Sequence, residues 1–292
     1  MSWRVVVVSS RAKLEYKLGY LVIRYTDDVR KVFLPDISVL LIENTGCSIT
    51  AALLQKLWEN KTCVIFCDEK RNPGAQLIPY YGSHDTSIKV AKQISWTDSA
   101  KAKIWARIVK EKIYRQYTCL SQFNKETSEK LFDYIEEIED GDKTNREGHA
   151  AKVYFNSLFG IGFSRDQDNF TNASLNYGYS IILSAICREI VSTGCITQIG
   201  IFHKNRFNEF NLGCDLMEPY RPIVDNLVVK SNILEELTSE RKMEFVNLLN
   251  KDVRIAGIKT SLLNSFNIYV RSVIESLEKE DESLIKFADY EF

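Results

Sequence analysis

The chain has 292 residues, of which 45% are hydrophobic and 26% are charged, and its formal net charge is −1. This composition excludes a disordered protein, and the sequence has no run of about 18 apolar residues that would predict a membrane span. The near-neutral charge excludes a uniformly basic chain, so a surface for nucleic acid must be local. Because single hydrophobic cores stop growing near this length, the sequence predicts two domains.

Residues 1–85 are predicted to form an N-terminal β domain with one small helix. Ser48 is predicted to cap that helix, Ile49–Trp58, whose apolar side chains share one face and would cover the sheet. Four segments have strand character: Met1–Val8, residues 14–22 in period two around a bend at Gly19, Val39–Ile42, and Cys63–Phe66.

Targeting signals and cysteine usage predict the compartment. The apolar run within Met1–Val8 is shorter than the core of about 7 to 15 residues in a secretion signal. The seven cysteines are an odd number scattered through apolar segments, which does not predict a disulfide framework. We therefore expect a soluble protein in a reducing cytoplasm.

Residues 86–292 are predicted to form a larger, all-α C-terminal domain. The boundary is placed where proline and glycine interrupt regular structure, and the hydrophobic period then changes from two to 3.6 residues. The predicted helices are Thr97 or Asp98 to Cys119, Glu126–Glu139, Thr144–Phe159, Asn172–Thr193, one that begins near Asn211, and about 234–250 and 259–279.

Three polar residues far apart in the sequence, Glu147, His203 and Glu218, offer a ligand set for a divalent metal. Two carboxylates and an imidazole can hold Mg²⁺ or Mn²⁺ against a phosphodiester. Two of these residues also have ordinary interpretations. Thr144 and Glu147 fit a capping box at a helix start, and His203 adjoins a polar loop, where surface histidines are common.

Glu218 lies where a helix is predicted to be interrupted. Pro219 and Pro222 remove backbone donors, and the ring of Pro222 conflicts with the carbonyl of Glu218, so we expect a kink at this carboxylate. Asp215 lies three residues earlier on the same face. Such kinks also occur in purely structural helices, so the spacing alone leaves the metal site open.

Five motifs spread along the chain carry a family resemblance. They are Leu34–Val39, Arg146–Ala151 with Tyr154–Phe155, Asn176–Tyr179, Gly200–His203 and Asp215–Pro222. In this order they resemble the CRISPR-associated integrase/endonuclease of the adaptation module, the first-numbered Cas protein family. The branch of type II systems is the most similar, because the chain is compact and its third ligand position is a glutamate where many relatives carry aspartate.

The resemblance implies an α+β fold with a dimerising N-terminal β domain and a catalytic α-helical C-terminal domain. It implies that Glu147, His203 and Glu218 are catalytic and bind Mg²⁺ or Mn²⁺. It also implies a prokaryotic cytoplasmic homodimer, with two such dimers bridged by a small ferredoxin-like CRISPR adaptation partner protein.

The implied reaction inserts foreign DNA fragments, called spacers, into a CRISPR array. A 3′-hydroxyl attacks a phosphodiester of the repeat, a transesterification that needs an aligned nucleophile and neutralisation of the growing charge. Asp215 is then expected as an outer ligand or orienting group, Arg221 as a phosphate ligand, and Tyr154 and Tyr177 as residues that line the pocket. The ordinary alternatives are surface ion pairs for the first two and core packing for the two tyrosines.

A basic stripe on the first long helix predicts contacts to double-stranded DNA. Lys103, Arg107 and Lys110 recur at helical spacing on one face, with Lys101, Lys112 and Arg115 nearby. The alternative is an ordinary solvated helix face.

Two other functions fit the same residues. The first is a metal-dependent nuclease that acts on branched DNA in repair and uses water as the nucleophile. The second is a non-catalytic DNA-binding scaffold, in which Glu147 only caps a helix and no metal binds.

Overall fold

The computed structural model describes residues 4–79, 83–231 and 237–292, leaving aside the side chain of Ser239. Its contacts divide the chain into two units, Met1–Gly82 and Ser83–Phe292. The first unit contains most of the strands and the second most of the helices, as the α+β prediction requires. The roles assigned to residues 1–85 and 86–292, dimerisation and catalysis, stay predictions.

Among its described residues, 4–79, the first unit holds two four-stranded sheets and one α-helix. Its elements are β1 Arg4–Val8, β2 Lys13–Lys17, β3 Tyr20–Arg24, β4 Val29–Phe33, β5 Ile37–Ile42, β6 Ser48–Ile49, α1 Ala51–Glu59, β7 Cys63–Cys67 and β8 Pro73–Gln76. One sheet has the order β1-β5-β7-β8, in which β8 alone runs antiparallel to its neighbour. The other has the order β4-β3-β2-β6, with antiparallel pairs except between β2 and β6.

Two features of this unit follow from local sequence. Leu18 and Gly19, both at positive φ, make the two-residue turn between β2 and β3, as the predicted bend requires. The helix begins later than predicted, with Thr50 rather than Ser48 as its cap, because Ser48 and Ile49 pair with β2 as a strand. Leu53 and Leu57 of α1 then enter the core.

The second unit is built from nine helices and one hairpin in its described part. They are α2 Thr86–Ile94, α3 Asp98–Leu120, α4 Lys125–Glu136, α5 Arg146–Phe159, α6 Phe170–Ser192, α7 Asn211–Met217, α8 Arg221–Ser231, α9 Ser239–Asn247, β9 Asp252–Ile255, β10 Ile258–Ser261 and α10 Leu262–Lys279. Helices α3, α6 and α10 bury side chains around most of their circumference and form the centre of this unit. In the described ranges, no helix combines the length and apolar character needed to cross a bilayer.

Several predicted boundaries change because tertiary pairing overrides helical periodicity. The last helix begins at Leu262 rather than 259, since residues 258–261 pair with β9 across a turn at Ala256 and Gly257. This hairpin and α2 were not predicted. The helix predicted from about 234 begins instead at Ser239, because Thr238 is extended and caps it by accepting from the backbone N–H of Arg241.

The predicted interruption at Glu218 is confirmed. Helix α7 ends at Met217, and a single 3₁₀ turn, Glu218–Tyr220, precedes α8. The turn tightens the backbone where Pro222 would otherwise conflict with the carbonyl of Glu218. The carboxylate is therefore presented at a defined break between two helices.

At Gly178, α6 approaches its neighbours closely. A Cβ atom there would lie 2.4 Å from Cγ1 of Val224 and 2.7 Å from Cδ1 of Phe245.

Gly178→Ala is expected to destabilise the protein by about 1–3 kcal/mol through overpacking and to lower its Tm by about 2–10 °C. Thermal unfolding followed by circular dichroism measures this. Ala173→Ser, which adds one atom at an exposed position of the same helix, should change the Tm little, and an equal effect of both variants would contradict the packing argument.

Candidate metal centre

Three elements of the second unit converge on one buried ammonium group. Lys112 on α3 forms ion pairs with Glu147, at the start of α5, and with Glu218, in the 3₁₀ turn before α8. The distance from Lys112 Nζ to Glu218 Oε2 is 2.5 Å. The structure therefore brings together two of the three predicted ligands, 71 residues apart in the sequence, around one cation.

Glu147 does not cap its helix, so the capping-box interpretation is wrong. The first amides of α5 are bound by the carboxylate of Asp142, which accepts from the backbone N–H of Arg146 at 2.8 Å and of Glu147 at 3.0 Å. Asn145, in the left-handed region at φ 54°, reverses the chain so that Asp142 reaches these amides. The side chain of Glu147 is directed to Lys112 instead.

Glu218 is a buried carboxylate held between two cations. Its side chain is only 4% exposed, Arg221 Nε donates to its Oε1 at 2.9 Å, and Lys112 lies against Oε2. Burial alone would raise the pKa of Glu218, but Arg221 and Lys112 outweigh it and lower the pKa to about 2. Glu218 is therefore ionised throughout the neutral pH range.

Lys112 has very little exposed surface to offer to DNA. Burial opposes its charge, yet Glu218 and Glu147 raise its pKa above the ordinary lysine value. The ammonium is thus charged and committed to two carboxylates. The prediction that Lys112 adds to the DNA-binding stripe is therefore wrong.

Asp215 shapes the loop that carries His203. Its Oδ2 accepts from the backbone N–H of Ile201 at 2.6 Å and of Phe202 at 3.1 Å. Its Oδ1 accepts from the backbone N–H of His203 at 3.1 Å and lies 2.6 Å from His203 Nδ1. Gly200 permits this wrapping, because a Cβ there would lie 2.7 Å from Asp215 Oδ2. The surface-ion-pair alternative for Asp215 fails, since the residue is fully buried.

The imidazole of His203 is fixed in position and orientation. Its ring packs edge-on against Trp105, with centroids 5.9 Å apart, while Trp105 stacks on Phe202 at 4.5 Å. Asp215 raises the pKa of His203 through their hydrogen bond, partly opposed by burial, and Glu218 adds a smaller increase. Because Nδ1 is committed to Asp215, Nε2 is the nitrogen that remains to bind a ligand.

Arg221 is anchored by an aromatic ring as well as by Glu218. Its guanidinium lies 4.5 Å from the ring centroid of Tyr179, and that of Arg165 lies 5.3 Å from the same ring. The hydroxyl of Tyr179 is bonded in turn to Asp225. Arg221 therefore lies beside Glu218, with Tyr179 and Arg165 next to it. Its role as a phosphate ligand stays a prediction.

Tyr154 and Tyr177 are placed in the core rather than along the pocket. Tyr154 has no exposed surface, and Tyr177 is 2% exposed and packs edge-on against Phe245. The core-packing alternative describes both residues, and the expected lining role is corrected. Tyr154 lies near Asp225, the carboxylate that accepts from the hydroxyl of Tyr179.

Fewer basic side chains of α3 are accessible to DNA than the sequence predicts, because Lys112 and Arg115 are buried. Lys103, Arg107 and Lys110 are half-buried, and the guanidinium of Arg107 lies 4.9 Å from the ring centroid of Phe287. Arg115 is buried and bonds to Glu111 at 2.8 Å and to the carbonyl of Ala288 at 3.0 Å, so it fastens the C-terminal segment instead. Whether the other three bind DNA stays a prediction.

The donor set suits a divalent cation, although the described residues contain no ready cluster of three or more His, Cys, Asp or Glu side chains arranged around one point. Glu147 and Glu218 already share a cation, which shows that both carboxylates reach one position. Carboxylate oxygens suit Mg²⁺ and Mn²⁺, and an imidazole oriented by a carboxylate is a usual companion ligand. The residues present therefore fit the implied metal.

Comparison with known families resolves the chain's identity. The family model described as CRISPR associated protein Cas1 matches residues 5–258. The chain belongs to the Cas1 family. A relative described as CRISPR-associated endonuclease Cas1, from Neisseria meningitidis serogroup C, is 31% identical over 295 residues, which cover 99% of this chain and 97% of that protein. The resemblance inferred from the motifs is thus confirmed, as is the class of CRISPR nuclease or integrase.

Solved structures confirm the fold. A casposase bound to integration product superposes with a TM-score of 0.79 at 20% identity, covering 97% of this chain and 92% of that one. A CAS1 protein from Thermotoga maritima superposes with a TM-score of 0.74 at 18% identity, covering 94% and 97%. At these identities the likeness establishes the α+β architecture and nothing finer.

The hydrogen bond between Asp215 and His203 predicts a pH-dependent contribution to stability. Because the pKa of His203 is raised in the folded state, the contact stabilises the fold fully below the unfolded value of about 6.5, and the contribution is lost as the pH rises through the folded pKa. Asp215→Asn should lower the NMR titration midpoint of His203. It should also reduce the loss in free energy of unfolding as the pH rises from about 6.5 through the folded pKa of His203. Asp252→Asn, at an exposed hairpin position, is the control. An unchanged midpoint in Asp215→Asn would contradict the assignment.

Proposed function

We propose that this chain is a metal-dependent DNA integrase and endonuclease that inserts spacers into a CRISPR array by transesterification. The observation that carries the proposal is the pairing of the Glu147 and Glu218 carboxylates on one cation beside an imidazole fixed by Asp215. Its membership of the Cas1 family supports the CRISPR role. The structurally similar casposase, which is bound to integration product, supports strand joining by this fold.

Each residue of the site has its own role in the proposed reaction. Glu147, Glu218 and His203 Nε2 would hold Mg²⁺ or Mn²⁺, which when bound supplies charge neutralisation at the phosphodiester. Asp215 keeps His203 in a single tautomer and orientation. Arg221, fixed by Glu218 and Tyr179, directs guanidinium donors toward a non-bridging phosphate oxygen. The 3′-hydroxyl of the incoming strand is the nucleophile for joining, and water takes that place in hydrolysis.

The assembly belongs to the same proposal. A homodimer through the N-terminal β domain, joined to a second dimer by a small ferredoxin-like partner, would set two such sites on one DNA fragment. Structurally similar chains occur in a Cas6-RT-Cas1–Cas2 complex, with a TM-score of 0.73, and in a TtCas1-DNA complex, with a TM-score of 0.51. These two complexes support a Cas partner and DNA as ligands of this chain.

A strand-transfer assay tests the activity. The full chain is mixed with its small partner protein, short duplexes with free 3′ ends, a supercoiled repeat-containing plasmid and Mn²⁺. Joined product is expected from the wild type, and chelation of the metal should abolish it. His203→Ala and Glu218→Ala should each reduce joining by more than about 100-fold, because losing one preorganised charge-stabilising group costs on the order of 10²–10³ in rate.

The outcomes of that assay separate the three candidate functions. Hydrolysis of branched DNA without joining would favour the repair nuclease. DNA binding unaffected by chelator, without any covalent product, would favour the scaffold. Circular dichroism of both variants checks that they are folded, so that loss of joining reports the site rather than the fold.

The salt dependence of DNA binding tests the basic stripe. The double variant Lys103→Met with Lys110→Met should bind duplex DNA more weakly. The slope of log K against log salt is negative, and its magnitude should fall by about 2, since each phosphate contact contributes roughly 0.9 to it. Lys259→Met, an exposed lysine paired with Asp252 on the hairpin, is the control. Fluorescence anisotropy over a range of salt concentrations gives the slopes. Equal slopes for the wild type and the double variant would assign the stripe to an ordinary solvated face.

A further inference from the structure

Lys112 occupies the place where the two carboxylate ligands meet. Its Nζ contacts Glu147 and Glu218 together, and its side chain is 7% exposed. A buried ammonium of this kind costs desolvation free energy, which the two carboxylates offset. In the chain without metal, Lys112 therefore acts as the internal cation of the site.

A divalent metal needs the same oxygen atoms. Metal–oxygen bonds of about 2.0–2.2 Å leave no room for an ammonium at 2.5 Å from the same oxygen on the same side. Arg221 does not compete in this way, because it holds Oε1 of Glu218 whereas Lys112 holds Oε2. The competition is thus specific to Lys112.

We propose that Lys112 is a positioning residue that holds Glu147 and Glu218 together in the metal-free chain and that must leave at least one of them when a divalent cation binds. The inference rests on the proposed function, because it assumes that these carboxylates are metal ligands. Two consequences follow. Lys112 lowers the affinity of the site for metal, and it allows the second unit to fold with two ligand carboxylates already in place.

Metal affinity tests the first consequence. Mn²⁺ binding to the full chain is measured by the loss of the free-ion EPR signal, without DNA, for the wild type and Lys112→Met. Removing the competing charge should lower the Kd of Lys112→Met at least about tenfold. Lys101→Met makes the same charge change on α3, about 16 Å away along the helix axis, and should leave the Kd unchanged. A Kd for Lys112→Met equal to or weaker than that of the wild type overturns the proposal.

Thermal unfolding tests the second consequence. In chelator, Lys112→Met should have a lower Tm than the wild type, because Glu147 and Glu218 lose their shared cation. Mn²⁺ should raise the Tm of Lys112→Met more than that of the wild type, since an ion that binds only the folded state stabilises it in proportion to its affinity. An equal rise in both proteins counts against the proposal.

A structure of the wild type with Mn²⁺ keeps the proposal testable even if Lys112→Met does not fold. The expected result is an ion on Glu147 and Glu218, with Lys112 Nζ withdrawn from at least one of them. An ion bound there while Lys112 keeps both contacts overturns the proposal.

The same measurements separate failure of this proposal from failure of the proposed function. If the site is the metal centre, Glu218→Gln should abolish the Mn²⁺ binding that the wild type shows. If Glu218→Gln binds Mn²⁺ as tightly as the wild type, the proposed metal centre is overturned, and the Lys112 proposal with it. Binding that depends on Glu218 but is indifferent to Lys112→Met overturns the Lys112 proposal alone.

Discussion

The buried charge of Glu218 governs how the second unit is put together. A carboxylate with almost no exposed surface requires positive partners, and it obtains them from two directions: Arg221, one turn further along the chain, and Lys112, from α3. Since Lys112 also binds Glu147, the start of α5 is tied to the same point. Three segments distant in sequence are therefore held in register by one electrostatic requirement.

Asp215 and Glu218 are both buried carboxylates, three residues apart, but they are neutralised in different ways. Asp215 accepts three backbone N–H bonds and the His203 contact, so any change in its position would require the loop to rearrange. Glu218 is held by side-chain cations, of which Lys112 sits on a flexible stem. This contrast explains why Asp215 suits an orienting role and Glu218 a ligand role. Only the second can exchange its partner without refolding of the backbone.

Those features of the fold that depend on local sequence could be predicted from it. The turn at Gly19 follows from alternation with a glycine bend, and the break at Glu218 follows from Pro219 and Pro222. The long helices α3, α5 and α6 follow from their apolar period. Strand pairing at Ser48–Ile49 and at 258–261 could not be read locally, because both segments adopt the conformation of a distant partner strand.

The sequence singled out Glu147 and Glu218, which the structure brings together, but not their counter-ions. Thr144 and Glu147 have the spacing of a capping box, and nothing in that pattern reveals that Asp142 reaches the same amides through a left-handed Asn145. Lys112 was grouped with the basic stripe because of its proximity in sequence. Its position two residues after Lys110 turns it away from that face and into an apolar one, which is the signal that could have identified it as buried.

The charge balance of the site bears on whether the chain is an enzyme or a passive DNA scaffold. Glu147 and Glu218 cancel Lys112 and Arg221, so the four side chains carry no formal net charge. Such a group offers little attraction to a phosphodiester, and a scaffold would gain nothing by placing two carboxylates, one of them buried, beside DNA. A divalent cation would add two positive charges, of which one matches the phosphodiester and the other matches the negative charge that grows in phosphoryl transfer. Holding these two acids beside each other, with Glu218 buried, is thus a cost that metal-assisted catalysis would explain and that simple binding does not.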